Sequence, residues 1–142
     1  MPVRKAEAQW EGTLSDGRGK MKLGSGSYEG AYSFASRFGD GAGTNPEELI
    51  GAAHAGCYSM AFSMFLENAG FTPDHIRTTA RVHIDKVPDG FKITTIELDT
   101  EAKVRGIDEK RFLELAEDTK KGCPVSQALA GVEIRLKAKR IS

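Results

Sequence analysis

Two side chains in this chain are nucleophilic enough near neutral pH to suggest chemistry, Cys57 and Cys123. They stand far apart in sequence, so they form neither a Cys-x-x-Cys exchange motif nor a local zinc ligand pair. A free cysteine is commonly a small buried hydrophobe, so a larger role has to be argued from context. Cys123 lies between Gly122 and Pro124. Proline supplies a first helical position, which makes Cys123 the N-cap, and backbone N–H groups there favour a thiolate. Cys57 lies inside an apolar run, where burial alone raises a thiol pKa and keeps it inert. It can react only with a cation beside it. Arg37, placed among aromatic residues, is a candidate for that cation.

The elements that must position these groups follow from local patterns. Glu7 to Thr13 and Lys20 to Leu23 read as strands joined by the turn Ser15-Asp16-Gly17-Arg18-Gly19. Tyr32, Phe34 and Phe38 suggest a third strand over Ala31 to Phe38, carrying Arg37 on its polar face. The run Gly39 to Gly43 then breaks regular structure; it lacks the Gly-Lys-Ser/Thr ending of a phosphate loop and reads as a mobile flap near Arg37. Thr44-Asn45-Pro46-Glu47-Glu48 is a helix start: a capping side chain, proline, then carboxylates at the positive end of the macrodipole. This helix should run from Pro46 to about Asn68 and stop at Gly70. Its middle is apolar on every side, which predicts a helix surrounded by protein. A stripe of small residues (Gly51, Ala55, Ser59, Ser63) would admit another helix closely, and a chain of this size has little material with which to wrap its own helix. An intimate homodimer is therefore expected.

Ile76 to Val87 and Phe91 to Val104 read as a hairpin turning at Pro88-Asp89-Gly90. Asp108 caps a helix with Phe112, Leu115, Ala116 and Thr119 on one face, ending Lys120-Lys121-Gly122. A helical turn from Pro124 to Leu129 and a strand over Val132 to Lys139 complete the chain. The fold class is α+β, an antiparallel sheet with helices on one side.

At 142 residues the chain has room for one domain. Twenty Lys+Arg balance twenty Asp+Glu, which argues against charge-driven binding to nucleic acid or anionic membrane. The N-terminus lacks the basic-then-apolar layout of a secretory signal. Leu49 to Leu66 carries no formal charge, but its His54, Ser59, Ser63, Tyr58 and glycines favour a buried soluble helix over a membrane span. A cytoplasmic location is expected. His54 shares a helix face with Cys57, but too few further ligands accompany it for zinc, and a structural role is expected. His75 and His83 are expected at the surface.

The segment Gly43-Thr44-Asn45-Pro46-Glu47-Glu48-Leu49-Ile50-Gly51-Ala52-Ala53-His54-Ala55-Gly56-Cys57, continuing Tyr58-Ser59-Met60-Ala61, resembles the central motif of the osmotically inducible protein C (OsmC) family. That family is related to the organic hydroperoxide resistance proteins. Gly122-Cys123-Pro124-Val125-Ser126-Gln127, Ala8-Gln9-Trp10-Glu11-Gly12 and Arg37-Phe38 match as well, so the resemblance spans essentially the whole chain as a single OsmC-like domain, residues 1–142.

The resemblance implies an intertwined homodimer around a long buried helix, and a thiol-dependent peroxidase that reduces organic hydroperoxides better than hydrogen peroxide. It makes Cys57 the peroxidatic residue and Cys123 the thiol that closes a disulfide on its sulfenic acid. A dithiol reductant, as in relatives a lipoyl protein, would restore both; no metal, haem or flavin is implied. Arg37 is the implied activating cation, with Arg18 as competitor, and Glu47 the carboxylate that holds it. Ten residues of helix span about 15 Å, so Glu47 cannot touch the Cys57 of its own helix, and an active site at the dimer interface is expected. Met60, Phe62, Met64 and Phe65 are candidates for an apolar substrate entrance, or else for core packing. Two other readings stay open: a non-catalytic dimer binding a hydrophobic ligand, and a protein dithiol-disulfide oxidoreductase, which the missing Cys-x-x-Cys motif weakens.

Overall fold

Short alternating segments and glycine-rich turns build a meander at the start of the chain. The computed structural model describes residues 2–142, in two compact units that meet in sequence at Leu49 and Ile50. In the first, β1 (Ala6–Glu11), β2 (Arg18–Leu23) and β3 (Glu29–Tyr32) form an antiparallel sheet in that order. Gly19 pairs with both Trp10 and Tyr32. A Cβ there would lie 2.5 Å from the Tyr32 ring and 2.6 Å from Trp10. Glycine thus lets the two rings meet, with centroids 5.4 Å apart.

The strand predicted over Ala31 to Phe38 ends at Tyr32, and α1 (Phe34–Phe38) follows it. Arg37 therefore sits on a helical turn. The reason is local: Ser33 Oγ accepts from the Ser36 N–H while Ser36 Oγ accepts from the Ser33 N–H, a reciprocal cap. Phe34 and Phe38 are also four apart, as a helix face requires, and their rings meet at a tilt with centroids 4.9 Å apart. The glycine run is tied down: the N–H groups of Gly39 and Gly41 donate to Ala35 O, and Thr44 N–H to Ala31 O. Asn45 Oδ1 then accepts from the Glu48 N–H at 2.7 Å, capping α2 (Pro46–Asn68) as expected.

The second unit contains most of α2, β4 (Pro73–Val87), β5 (Gly90–Val104), α3 (Glu109–Gly122), α4 (Pro124–Ala128) and β6 (Glu133–Ile141). The sheet order is β4-β5-β6. β4 and β5 form the expected antiparallel hairpin, but β6 runs parallel to β5 rather than antiparallel. The helices between them make a crossover, and a crossover returns the chain in the same direction. Ile96, Leu98, Ala102 and Val104 of β5 are buried under Tyr58, Phe62 and Leu66 of α2 and Phe112, Leu115 and Ala116 of α3. The opposite face carries cross-strand ion pairs such as Arg77–Glu101 and Arg81–Glu97. The helices thus occupy one face, and the α+β class holds.

The small-residue stripe of α2 faces a strand, not a second helix. A Cβ on Gly51 would touch Val82 at 3.4 Å and Ala80 at 3.7 Å, and Ser59 Oγ donates to Thr78 Oγ1 at 2.8 Å. Nor is α2 enclosed on all sides by its own chain. Ala52, Ala53, Gly56, Met60 and Met64 form an outward apolar strip, with Met60 79% and Met64 51% exposed. By length and composition α2 could cross a membrane.

Candidate active site

Cys57 comes from the middle of α2 and Cys123 from the joint between α3 and α4. Gly122 ends α3 against Phe65, whose ring would lie 2.9 Å from any Cβ there, so the two helices approach closely at this point. Cys123 caps α4 with Pro124 behind it, as expected. The result is a sulfur pair 3.0 Å apart, both thiols free, Cys123 fully buried and Cys57 half-buried.

At that distance the two sulfurs share a proton, and contact geometry alone lets Cys123 donate to Cys57. The surroundings favour the opposite arrangement. Burial pushes the Cys57 thiol up, and the Cys123 neighbour pushes it further. Burial also pushes Cys123 up, but the hydrogen bond with Cys57, the Ser126 N–H and hydroxyl, and the Val125 N–H outweigh it and bring the thiol down. Ser126 and Val125 belong to the first turn of α4, and together with Cys57 they favour the anionic form at Cys123 over that at Cys57. Cys57 on its own is the inert buried thiol expected of apolar surroundings.

His54, one turn before Cys57, is fully buried, and its Nε2 lies 2.7 Å from Ser126 Oγ. Burial lowers its pKa and keeps it neutral. Ser126 was not foreseen as part of the site, although the sequence holds a signal for it: Ser126 is three residues beyond an N-capping Cys123, where an N-terminal turn directs its N–H back at the cap. Tyr58 Oη, beside this cluster, donates to Ala116 O at 2.8 Å, and burial raises its pKa strongly.

Arg37 and Glu47 meet in the first unit. Arg37 Nε donates to Glu47 Oε1 at 3.0 Å and Nη2 to Oε2 at 2.9 Å, a two-pronged pair on a carboxylate that is almost fully buried. The guanidinium also lies 5.4 Å from the Phe38 ring centroid. Arg18 instead reaches Glu11 across the hairpin, with its side chain 84% exposed. Of the four apolar entrance candidates, Phe62 is core, its ring tilted against Tyr58 and edge-on to Phe112, and Phe65 is half-buried over Gly122. Met60 and Met64 alone face outward. Among the described residues no three His, Cys, Asp or Glu side chains are grouped to hold a metal ion.

The sequence family described as OsmC-like protein matches residues 39–137, most of the chain. The chain belongs to that family. Among its relatives, the peroxiredoxin OsmC of Escherichia coli is 51% identical over 127 residues, covering 89% of each chain. An organic hydroperoxide resistance protein-like protein of Staphylococcus epidermidis is 31% identical over 96 residues, covering 65% of this chain and 66% of the relative. The crystal structure of the organic hydroperoxide resistance protein OhrB of Bacillus subtilis shares the OsmC-like fold with a TM-score of 0.71 at 23% identity, covering 95% of this chain and 98% of that one. Both cysteines and Glu47 lie inside the OsmC-like match, and Arg37 lies just before it.

Proposed function

We propose that this protein is a cysteine-based peroxidase that reduces organic hydroperoxides to alcohols, acting in the cytoplasm as a single OsmC-like domain and a homodimer. The names of its relatives, a peroxiredoxin and hydroperoxide resistance proteins, support the reaction class. The observation that carries the reading is the sulfur pair at 3.0 Å. A disulfide needs about 2.05 Å, so the two sulfurs have to close by only about 1 Å and neither helix has to unfold.

In the reaction the Cys57 thiolate attacks the distal peroxide oxygen; the O–O bond breaks, one proton reaches the departing alkoxide as alcohol, and Cys57 becomes a sulfenic acid. The Cys123 thiolate then attacks that sulfur, and hydroxide leaves with a proton as water. An external dithiol reduces the disulfide and is itself oxidised to a disulfide. The first step needs a cation to stabilise the Cys57 thiolate, because burial holds that thiol up. We assign that cation to Arg37, held by Glu47, at an active site formed in the dimer. The outward strip of α2 that includes Met60 and Met64 is the surface we assign to the partner copy.

The test follows cumene hydroperoxide loss with a dithiol present, in wild type, Cys57→Ser and Cys123→Ser. Cys57→Ser should abolish turnover. With no dithiol added, Cys123→Ser should stop after one equivalent of peroxide and leave a trappable sulfenic acid. Equal, negligible turnover in all three proteins would sink the peroxidase. Negligible peroxide loss combined with reduction of insulin disulfides would replace it with a protein oxidoreductase.

A further inference from the structure

Two contacts, one turn apart, join α2 to the start of α4. One is the sulfur pair of Cys57 and Cys123 at 3.0 Å. The other is His54 Nε2 with Ser126 Oγ at 2.7 Å. His54 precedes Cys57 by three residues, and Ser126 follows Cys123 by three. The contacts are thus successive rungs between segments that run in opposite directions, about 4.5 Å apart along α2. The second rung is closed to water, with His54 fully buried and Ser126 nearly so. His54 Nδ1 is buried with no partner among the described residues; a hydrogen there would be an orphaned N–H, which native structures rarely tolerate. Nε2 therefore carries the hydrogen of the neutral ring and donates to Ser126 Oγ. Breaking this bond would leave both groups unpaired in the interior. Little else gives α4 a fixed direction. Gln127 turns back to Lys121 O of α3, and Val125 and Leu129 pack against the core through apolar contact, which is non-directional. One contact lets a short helix swivel about it; two contacts a turn apart do not.

We propose that His54 is a positioning residue: with Ser126 it latches the first turn of α4 onto α2, and so keeps Cys123 opposite Cys57 whether or not the two sulfurs are bonded. The latch orders the joint before the disulfide forms, which raises the effective concentration of one thiol at the other. Without it the reduced joint is free to swivel, and closing the disulfide has to order it. Latch and disulfide therefore support one another. In catalysis the latch would spare Cys123 a search for the oxidised sulfur. That use rests on the peroxidase reading, whereas the latch does not.

The dithiol–disulfide equilibrium reads the latch directly. Protein is equilibrated with mixtures of reduced and oxidised dithiothreitol, quenched and alkylated, and the disulfide fraction is measured by mass. On closing, the protein dithiol gives two electrons and two protons to oxidised dithiothreitol, which opens to its own dithiol. Ser126→Ala, His54→Leu and His54→Asn should each shift the equilibrium about tenfold toward the protein dithiol, raising the potential by about 30 mV. Glutamine presents an N–H where Nε2 stands and asparagine one where Nδ1 stands, so His54→Gln should stay within about twofold of wild type. Combining His54→Leu with Ser126→Ala should shift the equilibrium no further than Ser126→Ala does. A bond that merely stabilised the fold would weaken both redox forms alike and leave the equilibrium unmoved. A donor that merely stabilised a reduced thiolate would, once lost, move it toward the disulfide. Either result in Ser126→Ala overturns the proposal, as does an equal shift for glutamine and asparagine. Ser126→Ala removes only a hydroxyl, so the test stands if a His54 variant does not fold. No peroxide is used: failure here would leave the peroxidase standing, and absent peroxide turnover would leave the latch standing.

Discussion

A buried neutral histidine makes the folded chain sensitive to acid. Burial lowers the pKa of His54, so below its ordinary value of about 6.5 the unfolded chain binds a proton that the folded chain refuses. Stability is therefore full above about pH 6.5 and falls as pH drops through that range, by at most about 1.4 kcal/mol per pH unit, until the folded-state pKa is reached. Urea midpoints measured between pH 7.5 and 5 should show this slope, and His54→Gln should flatten it. A slope unchanged by that substitution would remove His54 as its source. Cys57 and Cys123 could be singled out from their neighbours in sequence. The orientation of His54 could not, because residue types do not say which nitrogen finds a partner across 72 positions of chain.

At the scale of elements, the end of α3 decides whether the two thiols meet. Replacing Gly122 with alanine adds helix propensity worth roughly 1 kcal/mol but sets a Cβ 2.9 Å from the tip of the Phe65 ring. Overpacking costs about 1–3 kcal/mol, and the ring tip can give way, so Gly122→Ala should be near neutral. Gly122→Val adds β-branched bulk with less propensity gain, and should lose about 1–3 kcal/mol in urea unfolding. It should also slow Cys57–Cys123 disulfide formation after peroxide addition, read by quenched-flow alkylation. Equal stability and equal closure rate for the two variants would show that the contact does not set the approach. Most elements were legible from capping and alternation, among them Asp108 before α3, Asn45 before α2 and Pro124 after Cys123. Residues 34–38 were not, because Phe34 and Phe38 satisfy a period of two and a period of four equally well. The Ser33–Ser36 cap that breaks the tie is a geometric relation between two ordinary serines.

For the whole molecule, the outward strip of α2 bears on assembly. Met60 and Met64 are large apolar side chains left open to solvent in one chain, and a partner copy laid over them would remove that exposure. Met60→Lys combined with Met64→Lys should convert a dimer to a monomer in light scattering, with turnover lost alongside. Wild-type protein that already runs as a monomer would refute the assignment. The enclosing of α2 was predicted from its apolar circumference, but composition cannot say whether a sheet, a helix or another molecule covers each side. The direction of β6 was equally hidden, since pairing sense is a property of the path between strands.

That path has a consequence for how the protein is made. β6 can lie parallel to β5 only after α3 and α4 have carried the chain back over the sheet, and Cys123 sits at the joint of those two helices. Registering the last strand and delivering the second thiol to the first should therefore occur together during folding. A nascent chain halted before β6 should hold two unrelated thiols, each open to stray oxidation. Intramolecular cross-linking during refolding should appear with the same rate constant as protection of the β5–β6 amides from hydrogen exchange.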